Sequence, residues 1–463
     1  MKKGSWFALC STLLAASCTA SAAATLTAQG GPEVLMGESP RLAVAGLAPG
    51  ESVLVHSFRK ALANQPGDNR GTPVIAHAFA EFVADEQGRI DVSTAAPARG
   101  TYEGADALGL LWSGEKMDAA GIEDQPVTQG LQIASGDVLF RLERRQAQGP
   151  YLETRIRLTD GADKVDVQEV AAAGLNGVFA KPKSVAPGAP LPAILLLHGS
   201  EGGSVAGARS EAIRFAHLGY AAFAVNYFAW PYARIAGIPQ ALVDIPVETL
   251  EKAREWLQLQ AGVEATRVAV RGVSKGAELA LVASTTFPWI DRVVACVPSS
   301  EVWAGFGRAP ENNEVFSSWS IQGRALSYIP YDRYEDALQG RLSAAAVHER
   351  SLRHATEEQL QSARIPIEKT QARLLLLAAE RDQVWPSAEM TRQLEETLRR
   401  AGRGNQVRAM VFDGASHLIC GTGAEPRRIN PVVKPEGNSP LPEADARAAE
   451  RAWAETKAFL ARK

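Results

Sequence analysis

The amino-acid sequence predicts a two-part chain: an antiparallel β-sandwich followed by an α/β domain on a mostly parallel, doubly wound sheet. Three observations carry this expectation. Short alternating runs such as Arg41-Leu42-Ala43-Val44 and Ser52-Val53-Leu54-Val55, broken by Gly, Pro and Asp turns, fill the first part, and period-two alternation with frequent turns is the pattern of antiparallel sheet. After Ala186-Pro187-Gly188-Ala189-Pro190 the texture changes to wholly apolar strands, which suit a parallel sheet covered on both faces. Between those strands lie runs of helical spacing, and alternating strand and helix argues for an α/β domain.

In chain order, Lys2 and Lys3 precede an apolar stretch from Trp6 to Ala16 and then small residues including Ala20-Ser21-Ala22. This reads as a secretory signal peptide over residues 1–24, since the run is well short of the ~20 apolar residues a spanning helix needs. The mature chain is then expected outside the cytoplasm, periplasmic or secreted, with lipid attachment at Cys18 as the alternative processing. Residues 25–188 form the expected sandwich, where few stretches sustain helical spacing. Residues 189–463 form the α/β domain, with strands at Ala193 to Leu197, Ala221 to Tyr227, Arg267 to Val273, Val293 to Val297, Arg373 to Ala378 and Val407 to Phe412. Leu250, Ala253 and Leu257, and Ala446, Ala449, Trp453 and Leu460, mark amphipathic helices. The interval from Ala304 to Lys369 breaks the rhythm and is read as an inserted segment or lid.

Composition narrows the function. With 49 Lys+Arg against 52 Asp+Glu among 463 residues, a net charge of −3 and 46% hydrophobic residues, the chain is of ordinary globular composition and offers no basic footprint for nucleic acid. Of its four cysteines, Cys296 and Cys420 remain after signal removal. Two buried free thiols are the plainer reading and one disulfide the alternative. Neither Cys-x-x-Cys nor clustered histidines occur, so neither a metal nor a cofactor is expected; the expected partner is a small-molecule substrate.

The sharpest motif is Gly272-Val273-Ser274-Lys275-Gly276, a G-x-S-x-G directly after one apolar strand and opening the helical stretch Ala277 to Ala283. That context makes it a nucleophile elbow, in which a strained turn projects the serine from the carboxyl edge of the sheet. Serine needs a base to accept its proton, and the base needs a carboxylate to orient it. Of the seven histidines, His198 and His217 precede Ser274, and His348 and His354 lie in the irregular segment. Only His417, in Asp413-Gly414-Ala415-Ser416-His417, follows the last strand, where the order serine, acid, histidine puts the base. Asp382 follows the strand Arg373 to Ala378 and is the expected acid, with Asp413 and Glu380 as competitors. His198-Gly199-Ser200-Glu201-Gly202-Gly203 ends the first α/β strand and matches an oxyanion loop, the expected donors being the backbone N–H groups of Ser200 and Lys275. His198 is read as structural. The phosphate-binding pattern G-x-x-x-x-G-K-[ST] is absent, which weakens a nucleotide reading.

These residues resemble the acyl-CoA thioesterases and bile acid-CoA:amino acid N-acyltransferases. The likeness runs through Gly272-Val273-Ser274-Lys275-Gly276-Ala277-Glu278, Ala224-Val225-Asn226-Tyr227, Arg381-Asp382-Gln383-Val384-Trp385-Pro386-Ser387 and Gly414-Ala415-Ser416-His417, and, in the first domain, Arg41 to Pro49 and Gly109-Leu110-Leu111-Trp112. The resemblance implies an immunoglobulin-like β-sandwich packed on an α/β-hydrolase domain, with Ser274, Asp382 and His417 on the triad positions and an acyl-serine formed from a thioester. Members that transfer acyl groups to amino acids carry cysteine at the elbow, so Ser274 implies hydrolysis. The competing readings are an exported carboxylic-ester hydrolase of dienelactone-hydrolase type, an acyl-CoA:amino acid N-acyltransferase, and a noncatalytic binding protein, the last disfavoured by an intact serine, acid and histidine in chain order.

Overall fold

The computed structural model describes residues 23–65, 68–117, 126–144, 151–172, 174–185, 189–307, 316–429 and 441–461. Nearly all of the expected signal segment, including Cys18, and the proline-glycine stretch at residues 186–188 lie outside the described residues. The first domain is two facing sheets. One pairs Thr25–Gln29, Arg41–Ala45 and Ile90–Asp91; the larger is centred on the long hairpin Ser52–Gln65 and Asp68–Val83 and on Asp137–Arg144 and Leu152–Thr159. Alternation drives their packing, because every second side chain faces the partner sheet. Leu26, Leu42 and Val44 from the small sheet meet Val53, Val55, Phe82, Phe140, Leu142 and Ile156 from the large one, with Tyr102 and Trp112 closing the core.

The second domain is an eight-stranded sheet, numbered here within that sheet: β1 (Val165–Ala172), β2 (Leu175–Pro182), β3 (Leu191–Leu197), β4 (Ala221–Val225), β5 (Val263–Val273), β6 (Ile290–Cys296), β7 (Arg373–Ala379) and β8 (Val407–Phe412). Its spatial order is β1-β2-β4-β3-β5-β6-β7-β8. The β1–β2 and β2–β4 pairs are antiparallel and all others parallel. With helices on both faces, this is the α/β-hydrolase architecture. Leu195 and Leu197 join the core on one face with helices α2 (Thr249–Gln258), α3 (Lys275–Thr286) and α5 (Ser387–Arg400), while Ile194 and Leu196 face α1 (Val205–Ala216) and α6 (Pro442–Ala461). All six expected strands are present. The domain boundary moves, however: β1 and β2 hydrogen-bond into the hydrolase sheet, so the second domain begins near Val165 rather than at residue 189. The edge hairpin is assigned by its sheet partners, which lie in the hydrolase sheet.

The irregular interval supplies a small sheet of Ile245–Pro246, Trp319–Ile321 and Arg324–Ala325 and the helix α4 (Ala344–His354). The two domains are braced where the chain runs on past β8. Arg59 of the sandwich donates to the carbonyls of Leu111 (2.9 Å) and Ala424 (2.8 Å), and the Arg427 N–H donates to the Trp112 carbonyl (3.0 Å). No helix among the described residues is long and apolar enough to cross a membrane.

Candidate active site

Every expected site residue sits at the carboxyl end of a strand. Ser274 lies between β5 and α3 at φ 54°, ψ −119°, backbone angles that a side-chain-bearing residue adopts only when its surroundings impose them. Its flanks show why both are glycine. A Cβ on Gly272 would stand 2.1 Å from the Gly276 carbonyl oxygen, and one on Gly276 would stand 2.3 Å from that of His198. The turn is fastened to the neighbouring strand by the Ser274 N–H, which donates to the Cys296 carbonyl at 2.9 Å. Lys275, as the first residue of α3, leaves its N–H without an intrahelical acceptor.

The loop after β3 lies against the elbow, since a Cβ on Gly199 would come within 3.3 Å of Ser274 Cβ. Its shape is held by side chains. The His198 ring stacks on Tyr227 (centroids 4.1 Å apart, 3° between planes), the Tyr227 hydroxyl donates to the His198 carbonyl (2.6 Å), and Trp230 Nε1 donates to the Ser200 carbonyl (3.0 Å). The Glu201 carboxylate takes the Gly199 N–H at 2.9 Å. Burial pushes the His198 imidazole below its usual pKa, so the ring is neutral near pH 7, in keeping with a structural role.

The Asp382 carboxylate meets His417 Nδ1 at 2.8 and 2.9 Å. It also accepts the Ser387 hydroxyl (2.6 Å) and the N–H of Val384 (2.9 Å), so both its oxygens are fixed towards the ring. Of the competing carboxylates, Glu380 is exposed and paired with Arg392 at 2.6 Å, and Asp413 is exposed. The His417 loop is tied on its upstream side by the Arg381 N–H to the Ala415 carbonyl (2.9 Å) and by Ser416, whose N–H and hydroxyl both donate to Asp445 of α6 (2.6 and 2.7 Å). Trp385 packs edge-on against the His417 ring, 6.0 Å between centroids. Among the described residues no hydrogen bond joins Ser274 Oγ to His417, an arrangement common in unliganded sites, where the contact tightens around substrate.

Two features escaped the sequence reading, and in a third the alternative holds over the plainer expectation. Beneath the elbow, Lys275 and Glu278 form a fully buried ion pair (2.7 Å) whose carboxylate also accepts Trp319 Nε1 (2.7 Å) and the Trp303 N–H (3.2 Å). Burial pulls the lysine pKa down and pushes the carboxyl pKa up, while their mutual attraction opposes both shifts. The spacing of Lys275 and Glu278 on one helix was the available signal. Secondly, the interval after Ala304 joins residues on either side of it to build a buried aromatic wall of Trp303, Tyr331, His348 and Trp385. The His348 ring meets Trp303 at 4.5 Å and Trp385 at 5.8 Å, and burial lowers its pKa to about 4. Thirdly, Cys296 and Cys420 are joined in a disulfide, against the plainer expectation of free thiols; Cys296 ends β6 and Cys420 lies in the loop after β8, 124 residues on. The exposed His354 pairs with Asp332 (2.8 Å) and takes no part in the site.

Comparison with known proteins covers both domains. The family description "Acyl-CoA thioester hydrolase/BAAT N-terminal region" matches residues 38–168, and "BAAT / Acyl-CoA thioester hydrolase C terminal" matches residues 245–463. The chain is similar to the acyl-coenzyme A amino acid N-acyltransferase 1 of Mus musculus, 24% identical over 83% of this chain and 84% of that one. It is equally similar to the mitochondrial acyl-coenzyme A thioesterase 2 of Rattus norvegicus, 24% identical over 86% of this chain and 79% of that one. Among solved structures, a putative dienelactone hydrolase from Klebsiella pneumoniae aligns with 65% of this chain and 99% of its own at 16% identity and a TM-score of 0.39. The two family matches fall in order on the sandwich and on β5 to β8 of the hydrolase sheet with the elbow, acid loop and histidine loop, and the chain belongs to the family of acyl-CoA thioester hydrolases and bile acid-CoA:amino acid N-acyltransferases.

Proposed function

We propose that this protein is a serine hydrolase that cleaves an acyl thioester to the free acid through an acyl-Ser274 intermediate. The observation that carries the reading is the Asp382–His417 pair, delivered from the ends of β7 and β8 to the same sheet edge as the strained Ser274. In this reading His417 takes the Ser274 proton as the hydroxyl attacks the carbonyl carbon. The N–H groups of Ser200 and Lys275 receive the developing oxyanion, and Asp382 holds the ring tautomer and balances the imidazolium. Collapse expels the thiol with the proton from His417. The same ring then activates water against the acyl-serine.

Serine at the elbow favours water as the acceptor, since an oxygen ester is less readily attacked by amines than the thioester an acyl-cysteine would form. The names of the relatives, thioesterases and amino acid N-acyltransferases acting on acyl-coenzyme A, make acyl-CoA the first donor to test. A second reading, hydrolysis of an oxygen ester outside the cytoplasm, is favoured by the Cys296–Cys420 disulfide, a bond that persists in oxidising compartments; the proposed export of the mature chain has the same support. The deciding experiment incubates purified protein with acyl-CoA and with p-nitrophenyl esters in the presence of glycine and taurine and weighs the products. Free acid is expected to dominate. Predominance of N-acyl amino acid overturns the hydrolase reading, and a fluorophosphonate that labels wild type and Ser274→Ala equally overturns the nucleophile.

A further inference from the structure

The His417 loop is tethered in two directions. Its upstream ties, from Arg381 and Asp445, hold it beside the acid loop. Its downstream tie is Cys420, three residues past His417, and that residue reaches both the nucleophile's own strand and the next one in the sheet. Its sulfur is bonded to Cys296 at the end of β6, whose carbonyl accepts the Ser274 N–H, and its carbonyl accepts Arg271 of β5 at 2.8 Å. Arg271 is itself buried and paired with Glu211 of α1 at 2.7 Å. Among the described residues no hydrogen bond spans Ser274 and His417, and the base's loop is joined to β5 and β6 through Cys420, covalently by the disulfide and by the Arg271 hydrogen bond to its carbonyl. We infer that the Cys296–Cys420 disulfide is a positioning element that sets His417 against Ser274, so that the hydrolytic rate depends on the thiol–disulfide state of the protein. The inference rests on the proposed roles of Ser274 and His417.

The chemistry of release is ordinary exchange. A small thiol attacks one sulfur as thiolate and forms a mixed disulfide while the other cysteine leaves. A second thiol then displaces the first, so two thiols are oxidised to their disulfide as Cys296 and Cys420 each gain an electron and a proton. Access is provided at Cys420, which is half-buried and lines a cavity of about 270 Å³ together with His198, Glu201, Glu211 and Arg271; Cys296 is buried. Loss of the bond leaves the upstream ties and the Asp382 contact in place. It therefore acts on the approach of base to nucleophile rather than on the pairing of base with acid.

The test compares oxidised wild type with Cys296→Ala/Cys420→Ala on p-nitrophenyl acetate, in the native background and in His417→Ala. Misplacing a catalytic group by about 1 Å costs on the order of 100-fold, so kcat is expected to fall about ten- to a hundredfold with KM within about twofold. In the His417→Ala background, removal of the disulfide is expected to change the residual rate by less than about twofold, because the group it positions is gone. An equal fold-loss in both backgrounds, or no loss in either, overturns the proposal. Should the double variant fail to fold by circular dichroism, wild type reduced with dithiothreitol, desalted anaerobically and shown to carry two free thiols provides the same comparison; loss of its fold on reduction overturns the proposal. Full turnover by Ser274→Ala would instead remove the nucleophile assignment, whatever the disulfide does.

Discussion

The two domains both bury titratable groups, and they use them differently. In the hydrolase sheet such groups gather at the carboxyl edge: Asp382 against His417, Lys275 against Glu278 beneath the elbow, and Arg271 under the histidine loop. In the sandwich the buried histidine lies in mid-strand. His56 bonds to His77 (3.0 Å) and to Glu143 (3.1 Å), and the two rings stack in a ladder with Phe58 and Phe79. The contrast follows from strand direction. Parallel strands joined by helices end together, so loops and helix N-termini with free N–H groups converge on one edge. An antiparallel sheet alternates its ends and gathers nothing. Chemistry in this molecule is therefore expected of one edge of one sheet, while the other domain braces it.

The largest test of that contrast removes the edge's reactive atoms. Ser274→Ala or His417→Ala is expected to lower kcat by about 10⁴-fold or more, whereas His56→Gln in the sandwich should leave kcat at pH 8 within about twofold; steady-state assays on one ester decide it. Next, Asp382→Asn should lose about 10³- to 10⁴-fold through the wrong imidazole tautomer, while Glu380→Gln and Asp413→Asn stay near wild type. A normal rate for Asp382→Asn beside a crippled Asp413→Asn would reassign the acid.

Stability sharpens the comparison further. Glu278→Ala leaves the Lys275 ammonium buried without its partner and should cost about 3–5 kcal/mol in urea unfolding. The exposed interdomain pair Arg428–Glu115 (2.7 Å) should give up less than about 1 kcal/mol when broken. A further test is one of pH. Burial lowers the pKa of both His56 and His77 to about 4, with Arg141 adding to the first shift and His56 to the second. Each ring is neutral in the folded chain, and the unfolded chain takes up protons first. Stability is thus full above about pH 6.5 and is lost as pH falls towards 4, below which the dependence levels off. His56→Gln should flatten that slope, and an unchanged slope would place the sensitivity elsewhere.

Much of this edge was legible in the sequence because each motif sits in local chemistry. Gly272 and Gly276 betray the elbow by flanking Ser274 at positions where a Cβ would strike a backbone carbonyl, and His417 lies where chain order demands a base. What was not legible depends on neighbours in space. Nothing in the run Val165–Pro182 assigns it to the second domain until its partner β4 is known. Cys296 and Cys420 look like solitary thiols until β6 and the histidine loop are brought side by side. Trp385 and His348 meet only after the irregular interval folds back.

The Cys296–Cys420 bond also defines a ring in the covalent chain, closed across a separation of 124 residues. In chain-entropy terms such a closure removes about 5 kcal/mol of conformational freedom from the unfolded ensemble. Asp382 and His417 lie within the ring; Ser274 lies before it. During synthesis, where amino-terminal parts of a chain fold first, the sandwich and β1 to β5 are complete long before Cys420 exists. The strand that presents the nucleophile is thus made before the ring that carries its acid and base can close.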